Sequence, residues 1–362
     1  MFEQLNNVPR LLMQVQLRPI QTGRIQPTGF ADLGAAVYEQ PDEESPNGMK
    51  RMLLVESAQS VANRLERTCL DGEGSRIAKE LEGLPYIVAK LAGQIETTTS
   101  SLVEAHRMNS PFIISNEEFK KNFSTKANYA KGLPLDWKKI AAAILFYDPN
   151  SLLHGLFMAN LEDGRVRTPR MITGFIEAED IHEAASGGVK NNPFDPSGKI
   201  RAANYDKDVY GNVPYARMEY TARRITAYFN FDLALLQGYQ LPDDARHLLI
   251  ALGLYKMRRF LNSGLRLRTA CDLAPVDDIV VQAPTGFVIP SEADLLKQVQ
   301  EKIRLCTEQK LFVSPAVTEL DTIVVLKKDE KDKTSKSATP NDDDTGQAAG
   351  IATLDDGEEE EM

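Results

Sequence analysis

The order in which two hydrophobic periodicities follow one another along the chain most constrains its fold. Residues 10–18 and 223–233 alternate apolar with polar or mixed side chains, and this two-residue period is typical of strands with one buried face. Short apolar runs predict further strands at 52–55, 265–273 and 322–326, and a 3.6-residue period or capping residues predict helices at 57–69, 135–146, 243–262 and 291–306. Strands and helices interleave irregularly, which predicts an α+β fold and not a regular parallel α/β array.

The distribution of charge separates the chain into two parts. Of its 362 residues, 42 are basic and 52 are acidic, and nine of the acids lie beyond Ser337, where there is no lysine or arginine. We therefore predict a folded part over residues 1–326 and a disordered acidic tail over 327–362. The tail either aids solubility or repels non-specific nucleic acid. The folded part is nearly neutral in sum, which is compatible with positive charge collected on one face.

The sequence gives three indications of location. No stretch approaches the roughly 18 uncharged apolar residues of a membrane span, and the first residues lack the pattern of a secretory signal. Cys69, Cys271 and Cys306 lie far apart, which is typical of reduced thiols. We expect a cytoplasmic protein whose cysteines are small core residues.

Residues 186–217 differ from the rest of the chain. Glycine, proline and asparagine are frequent there, and neither a two-residue nor a 3.6-residue period persists. We interpret this segment as a long protruding insertion, because loops of that length are usually functional or disordered.

The first candidate binding site is the start of the helix at 57–69. Ser57 is a suitable N-cap, and Gln59 and Ser60 lie in the first turn. The face opposite the apolar stripe carries Ser60, Asn63, Arg64 and Arg67. A helix N-terminus has unpaired N–H groups and partial positive charge, which suit a phosphate oxygen. The alternative is a capped surface helix with a solvated polar face.

The loop over residues 22–34 is a second candidate. Its glycines permit close approach of a ligand to the backbone, and Arg24, Gln26 and Thr28 supply hydrogen-bond donors. Considered alone, it could equally be an ordinary surface loop.

Two arginine pairs complete the candidate site. Arg165 and Arg167 project to one side of an extended segment, where guanidinium groups match phosphate geometry, although a basic edge strand would have the same sequence. Arg266 and Arg268 lie on one face of a predicted strand, with Leu265 on the other. Their position is the strongest indication of a polyanionic partner.

Residues that would support catalysis are sparse. The four histidines show no HExxH or metal-cage spacing, and no Walker loop or GxSxG motif is present, so we predict no catalytic, metal or cofactor site. Asp32, in a glycine-flanked loop, is the one carboxylate that we would test for metal-assisted cleavage.

Several long runs, in order, resemble one protein family. They are RPIQTGRIQPTGFADLGAA, LLVESAQSVANRLE, LPYIVAK, YDPNSLLHGLF, RTPRMITGFIEA, SGGVKNNPFDPSG, YGNVPYARMEYTA, AYFNFDLALLQGYQL and KMRRFLNSGLRLRTACDL. Together they resemble the backbone RAMP subunit of type I-G (formerly I-U) CRISPR Cascade effectors, over roughly residues 10–290.

This resemblance implies a modified RRM-like (ferredoxin-like) palm with inserted finger and thumb elements. It also implies copies that stack head-to-tail along a CRISPR RNA, leaving the guide bases free to pair with target DNA in prokaryotic antiviral defence. The implied partners are the guide RNA, other copies, the large subunit and the crRNA-processing subunit. Two alternatives remain: a metal-dependent endoribonuclease using Asp32, and a cytosolic scaffold that binds no nucleic acid.

The resemblance also assigns part of the candidate site. The first loop (Arg24, Gln26, Thr28) and the helix start (Ser57, Gln59, Ser60, Asn63, Arg64) match the region of the family that contacts the RNA backbone. The segment 186–217 resembles the thumb, and an aromatic residue there, such as Phe194, Tyr205 or Tyr210, is a candidate for stacking beside a nucleotide. The roles of Arg165, Arg167, Arg266 and Arg268 rest on their own pattern.

Overall fold

A central antiparallel sheet of eight strands organises the protein. The computed structural model describes residues 2–30, 33–74, 76–201 and 211–325. The strands are β1 (Arg10–Pro19), β2 (Arg24–Ile25), β3 (Gly29–Phe30), β4 (Gly34–Ala35), β5 (Val37–Pro41), β6 (Met49–Glu56), β7 (Tyr86–Gly93), β8 (Thr97–Ser100), β9 (Leu156–Phe157), β10 (Arg167–Thr168), β11 (Ile172–Glu179), β12 (His182–Lys190), β13 (Val213–Thr221), β14 (Arg224–Asp232), β15 (Leu265–Arg268), β16 (Cys271–Pro275), β17 (Val280–Ala283) and β18 (Val317–Val324). The helices are α1 (Ala58–Arg67), α2 (Pro111–Ile114), α3 (Glu117–Ala127), α4 (Trp137–Tyr147), α5 (Pro149–His154), α6 (Leu233–Gly238), α7 (Asp243–Asn262) and α8 (Glu292–Glu308).

The order of strands in the central sheet is β15-β16-β1-β14-β11-β6-β5, with β17 also paired to β1. Its middle contains a βαββαβ unit made of β1, α1, β11, β14, α7 and β16. In that unit the last strand, β16, lies beside the first strand, β1. The third strand, β14, lies between β1 and the second strand, β11. The mixed α/β architecture with an antiparallel sheet agrees with the irregular interleaving of strands and helices in the sequence.

The core lies on one face of this sheet. The alternating residues of β1 and β14 pair in register, so that Leu11 lies opposite Phe231 and Val15 opposite Ala227. These side chains are at most 3% exposed, as are their neighbours on the same face. The strands predicted from the two-residue period at 10–18 and 223–233 are therefore confirmed.

Helix α7 packs closely on this face because of one glycine. A Cβ atom at Gly253 would lie 2.6 Å from the Phe231 ring and 3.6 Å from Ile172. The glycine thus lets the helix backbone approach the middle of the sheet. Helix α1 packs against β11 and α7, so the two helices cover the same face of the sheet. The predicted limits of α7, 243–262, agree with the structure.

A cluster of polar side chains lies beneath α7. The Nζ atom of Lys256 is fully buried and lies 2.5 Å from Oδ1 of Asn150 and 2.9 Å from Nε2 of His154. Burial lowers the pKa of His154 well below its ordinary value, and the nearby positive charges of Lys256 and Arg107 act in the same direction. Cys69 lies beside Asn150, with Sγ 3.7 Å from Oδ1.

Strands β12 and β13 form an extended two-stranded arm. Strands β12 and β13 pair from His182 opposite Thr221 to Lys190 opposite Val213. The sequence predicts no strand within the insertion at 186–217, but residues 186–190 and 213–217 are strands. Most side chains on both faces of the arm are exposed, so the sequence there lacks the alternation that identifies a strand.

A second sheet joins distant parts of the chain. Strand β18 pairs in parallel with β7, and β7 pairs with β8. The strand predicted at 322–326 begins earlier, at Val317. Its outward residues include Glu319 and Asp321, and these charges obscure the apolar run.

A correction also applies to residues 265–273, which are not one strand. They form the hairpin β15–β16, which reverses at Ala270 with a φ of 60°. The turn contains no glycine or asparagine, so the usual sequence signal for a reversal is missing. The three cysteines are buried and unpaired, as predicted. Among the described residues, no helix has the length and apolarity needed to cross a bilayer.

Candidate nucleic-acid interface

A buried carboxylate, Glu56, is the centre of the predicted site. It lies at the end of β6, is 0% exposed, and accepts hydrogen bonds from the Ser60 hydroxyl and, at 2.7 Å, from Nε of Arg64. Arg268 forms an ion pair with its other oxygen. Arg64 also donates to the carbonyl of Leu267 at 2.7 Å. One acid thus joins the start of α1 to strand β15.

Helix α1 begins where the sequence predicts it. The Ser57 hydroxyl accepts the backbone N–H of Ser60 at 3.2 Å, so Ser57 is the N-cap. Val61 and Leu65 are buried, whereas Gln59 and Asn63 lie on the exposed face. The cap and the amphipathic face therefore fix which polar side chains of the helix point outward.

Arg268 also holds the first loop against β6. Its guanidinium donates to the carbonyls of Gln26 and Val55, both at 3.0 Å. The backbone N–H of Gln26 donates to Ala270 at 2.8 Å, and that of Thr28 donates to Val55 at 3.0 Å. The loop at 24–28, the start of α1 and the β15–β16 hairpin are thus one connected region, although the hairpin lies more than 200 positions after the other two.

A second buried glutamate lies at the base of the arm. Glu219, on β13, is 2% exposed and accepts from Arg217, with its Oε1 2.6 Å from Nη2. Its other oxygen is 3.7 Å from Nη1 of Arg24. Arg24 is on β2, which pairs with β13 at Thr221. Arg24 therefore reaches the same region as the arm.

Arg217 and Arg268, one partner of each buried glutamate, line one cleft of about 500 Å³. Its walls come from the first loop, the base of the arm and the β15–β16 hairpin, and include Gln26, Thr28, Arg217, Met218, Tyr220 and Arg268. Glu56 pairs with Arg64 and Arg268, and Glu219 pairs with Arg24 and Arg217, so among these six residues positive charge exceeds negative. A fixed cationic groove of this kind suits a sugar-phosphate chain.

The outward face of α1 borders a second cleft, whose lining also includes Glu66, Glu73 and Glu104. Gln59 and Asn63 line it together with Arg67, and Nε2 of Gln59 donates to Oδ1 of Asn63 at 3.3 Å. Arg170 donates to the other side-chain atom of Gln59. The predicted helix face therefore connects with the segment that carries the arginines at 165–170.

Arg165 and Arg167 are both exposed, on either side of the buried Val166, but they have different surroundings. Arg165 pairs with Asp163 at 2.7 Å and donates to the carbonyl of Leu133 at 2.8 Å, beside the Tyr129 ring. These contacts tie it to the segment that joins α3 to α4. The structure does not bring it to the cleft. Arg167 lies instead over Phe157.

Arg266 and Arg268 also differ. Leu265 and Leu267 are buried, as the predicted strand face requires, and Arg266 is exposed. Arg268 is mostly enclosed by its contacts with Glu56 and two carbonyls. Burial lowers the pKa of both the Arg64 and Arg268 guanidinium groups and raises that of the nearby Cys271 thiol to about 11.

The donors of Arg64, Arg268 and Ser60 already bind Glu56 or backbone carbonyls within the protein. Their donors position the surrounding backbone, whereas Arg24, Gln59 and Asn63 are more exposed. Sequence reasoning missed Glu56, Glu219 and Arg217 as parts of the site. The sequence offers only a weak indication for Glu56, which directly precedes the N-cap Ser57 and lies four residues before Ser60.

Asp32, Tyr205, Tyr210 and the acidic tail at 327–362 lie outside the described residues. Phe194 follows the first strand of the arm and is 80% exposed. Over the described ranges, no group of three or more histidine, cysteine or acidic side chains is arranged to hold a metal ion.

Comparisons with known proteins were made on sequence and on structure. No curated protein sequence matches the chain. A chain of a structure titled "CRISPR RNA-guided surveillance complex, pre-nicking" aligns with a TM-score of 0.38 and 10% identity, covering 83% of this chain and 89% of that one. Residues 11–183 match the family model described as CRISPR-associated protein GSU0053. From β1 to the first residues of the arm, this chain is therefore similar to a CRISPR-associated protein family.

Proposed function

We propose that this chain is a non-catalytic, guide-RNA-binding backbone subunit of a type I-G CRISPR Cascade. The family-model match over residues 11–183 supports the CRISPR assignment. The observation that carries the RNA-binding role is the set of four arginines paired with the buried Glu56 and Glu219, of which Arg217 and Arg268 line one cleft. In this proposal the βαββαβ unit is an RRM-like palm, and the β12–β13 arm is the thumb.

The chemistry of the cleft suits a strand of any sequence. Guanidinium groups bind phosphate oxygens, and side-chain amides such as that of Gln26 in this cleft pair with phosphate or ribose hydroxyls. A subunit that carries many different guides needs contacts of this type, because contacts to base edges would select one sequence. Base pairing with target DNA would then supply the specificity.

The proposal includes an assembly in the cytoplasm of a prokaryotic cell. Copies of the chain would stack head-to-tail along the RNA, since contacts between unlike surfaces that do not close a ring produce a filament. The length of the RNA would limit that filament. The large subunit and the crRNA-processing subunit would be the other protein partners.

The test is RNA binding by nuclease-treated protein as a function of salt. We expect single-stranded RNAs of unrelated sequence to bind with similar affinity, which falls steeply as salt rises. Arg24→Gln should weaken all sequences alike and reduce the salt slope by about 0.7, the value for one phosphate contact on a single strand. Arg24 suits this test because its side chain is 49% exposed beside the cleft.

Arg304→Gln is the matched control. Arg304 also pairs with a glutamate, Glu308, but it lies on α8 and is 60% exposed outside the cleft. Its loss should leave the slope unchanged. Absence of RNA binding at low salt, strong preference for one sequence, or equal effects of the two substitutions would contradict the proposal.

A further inference from the structure

An exposed aromatic ring lies on a small sheet outside the arginine cleft. Strand β9 pairs with β10, and Phe157 lies directly opposite Arg167. The Phe157 side chain is 50% exposed, whereas its neighbours Leu156 and Met158 are buried. Because side chains alternate along an extended segment, the buried neighbours hold the Phe157 ring outward.

The ring borders a cleft of about 720 Å³ that also contains three arginines. The guanidinium carbon of Arg167 lies 5.5 Å from the centre of the Phe157 ring, within the range of a cation–π contact. Arg107 and Arg170 line the same cleft. An aromatic face beside several guanidinium groups offers one surface for a nucleobase and another for a phosphate.

Hydrogen bonds and a close backbone contact join the residues that line the cleft. Arg107 pairs with both oxygens of Glu66 on α1, at 2.6 and 2.9 Å, and donates to the carbonyl of Gly155 at 2.9 Å. A Cβ atom at Gly155, whose φ is 83°, would lie 3.0 Å from the carbonyl oxygen of Thr168. The backbone at Gly155 is therefore in direct contact with the backbone at Thr168. We expect binding of a ligand to require little ordering of these residues.

The cleft also adjoins the outward face of α1. Arg170 donates to Gln59, and Arg107 lines both this cleft and the one bordered by Gln59 and Asn63. The cleft beside Phe157 and the cleft along α1 therefore share a wall at Arg107.

We propose that this cleft binds one nucleotide of single-stranded RNA, with its base stacked on Phe157 and its phosphate paired with Arg167 and Arg170. The inference rests on the proposed function and adds a base-stacking subsite to it. Stacking is tolerant of sequence because every base has a π face, so the subsite is compatible with guides of any sequence.

The test compares two probes: a ten-residue oligouridylate and a ribose-phosphate chain of the same length without bases. Phe157→Ala should lower affinity for oligouridylate about tenfold, the usual effect of losing one stacked base. It should leave affinity for the base-free chain unchanged, and Phe157→Tyr should retain most of the oligouridylate affinity. Arg167→Gln should weaken both probes alike.

Trp137→Ala is the matched control. Trp137 is 39% exposed, lies on α4 and does not line the cleft, so its loss should change neither affinity. Thermal unfolding of each variant checks that the fold is intact. Equal losses for both probes with Phe157→Ala, or no loss for either, would overturn the stacking subsite while RNA binding itself persists. Absence of RNA binding by the wild-type protein would instead refute the proposed function.

Discussion

Replacing Glu56 by glutamine tests whether this residue holds the site together. The substitution keeps the size of the side chain but removes its charge and replaces one acceptor oxygen with an NH₂ group. That group would face the guanidinium groups of Arg64 and Arg268, which are donors only. Both arginines would lose their buried counter-charge.

The expected cost follows from the burial of the three groups. Removing one partner of a fully buried ion pair costs about 3–5 kcal/mol. Here Glu56 is 0% exposed, but the side chains of Arg64 and Arg268 are 30% and 23% exposed, so water offsets part of the loss. The arginines also keep their hydrogen bonds to backbone carbonyls. We expect the free energy of unfolding to fall by about 3 kcal/mol.

The assay is urea unfolding at neutral pH, followed by both circular dichroism and tryptophan fluorescence. Glu183→Gln is the control, because Glu183 is 53% exposed and pairs with the exposed Arg51, so its loss should cost at most about 1 kcal/mol. A double-mutant cycle of Glu56→Gln with Arg268→Met should give a coupling of at least about 1 kcal/mol. A coupling near zero, or equal costs at Glu56 and Glu183, would refute the reasoning.

Three further predictions concern the fold. Gly253→Ala should lower the free energy of unfolding by about 2 kcal/mol in thermal or urea unfolding, because the new methyl group overlaps the Phe231 ring. Gly238 has open space around it, so Gly238→Ala should be neutral or stabilising. Ser57→Ala should cost about 1 kcal/mol through loss of the α1 cap, and a larger amide-exchange rate at Ser60 would accompany it. Burial keeps His154 neutral in the folded state, whereas in the unfolded chain this histidine takes up a proton below about pH 6.5. Its contribution to the free energy of unfolding should therefore be complete above that pH. Below it, the free energy of unfolding should fall by about 1.4 kcal/mol per pH unit until the lowered pKa of the folded state is reached. In His154→Gln this part of the pH slope should disappear, and an unchanged slope would show that other groups cause it.

Periodicity was sufficient for the elements that have one buried face. The strand at β1 and the helix α7 were predictable because their apolar residues recur at fixed spacing and because Gly264 and the acidic first turn mark the ends of α7. The arm was not predictable in this way. Its residues bury little on either face, so nothing in its hydrophobic pattern distinguishes β12 from a loop.

The candidate site was predictable in part for a different reason. Donor-rich segments such as 57–64 can be recognised locally, and the structure does connect them with the first loop and with Arg268. The partners of those donors cannot be recognised locally, because Glu56 and Arg268 are 212 positions apart and the contact depends on the pairing of β15 with β16. Their spacing in the sequence likewise groups Arg165 with Arg167, but the ion pair with Asp163 gives Arg165 surroundings different from those of Arg167.

The parallel pairing of β18 with β7 has a consequence for biosynthesis. Strand β7 ends at Gly93, and its partner begins only at Val317. At about 5–20 residues per second, a ribosome needs about 10–45 seconds to make the intervening chain. During that interval one edge of β7 is without its final neighbour, and the second sheet closes only when translation has passed Val324. A nascent chain arrested earlier should therefore be sensitive to proteases near β7 and should engage chaperones there.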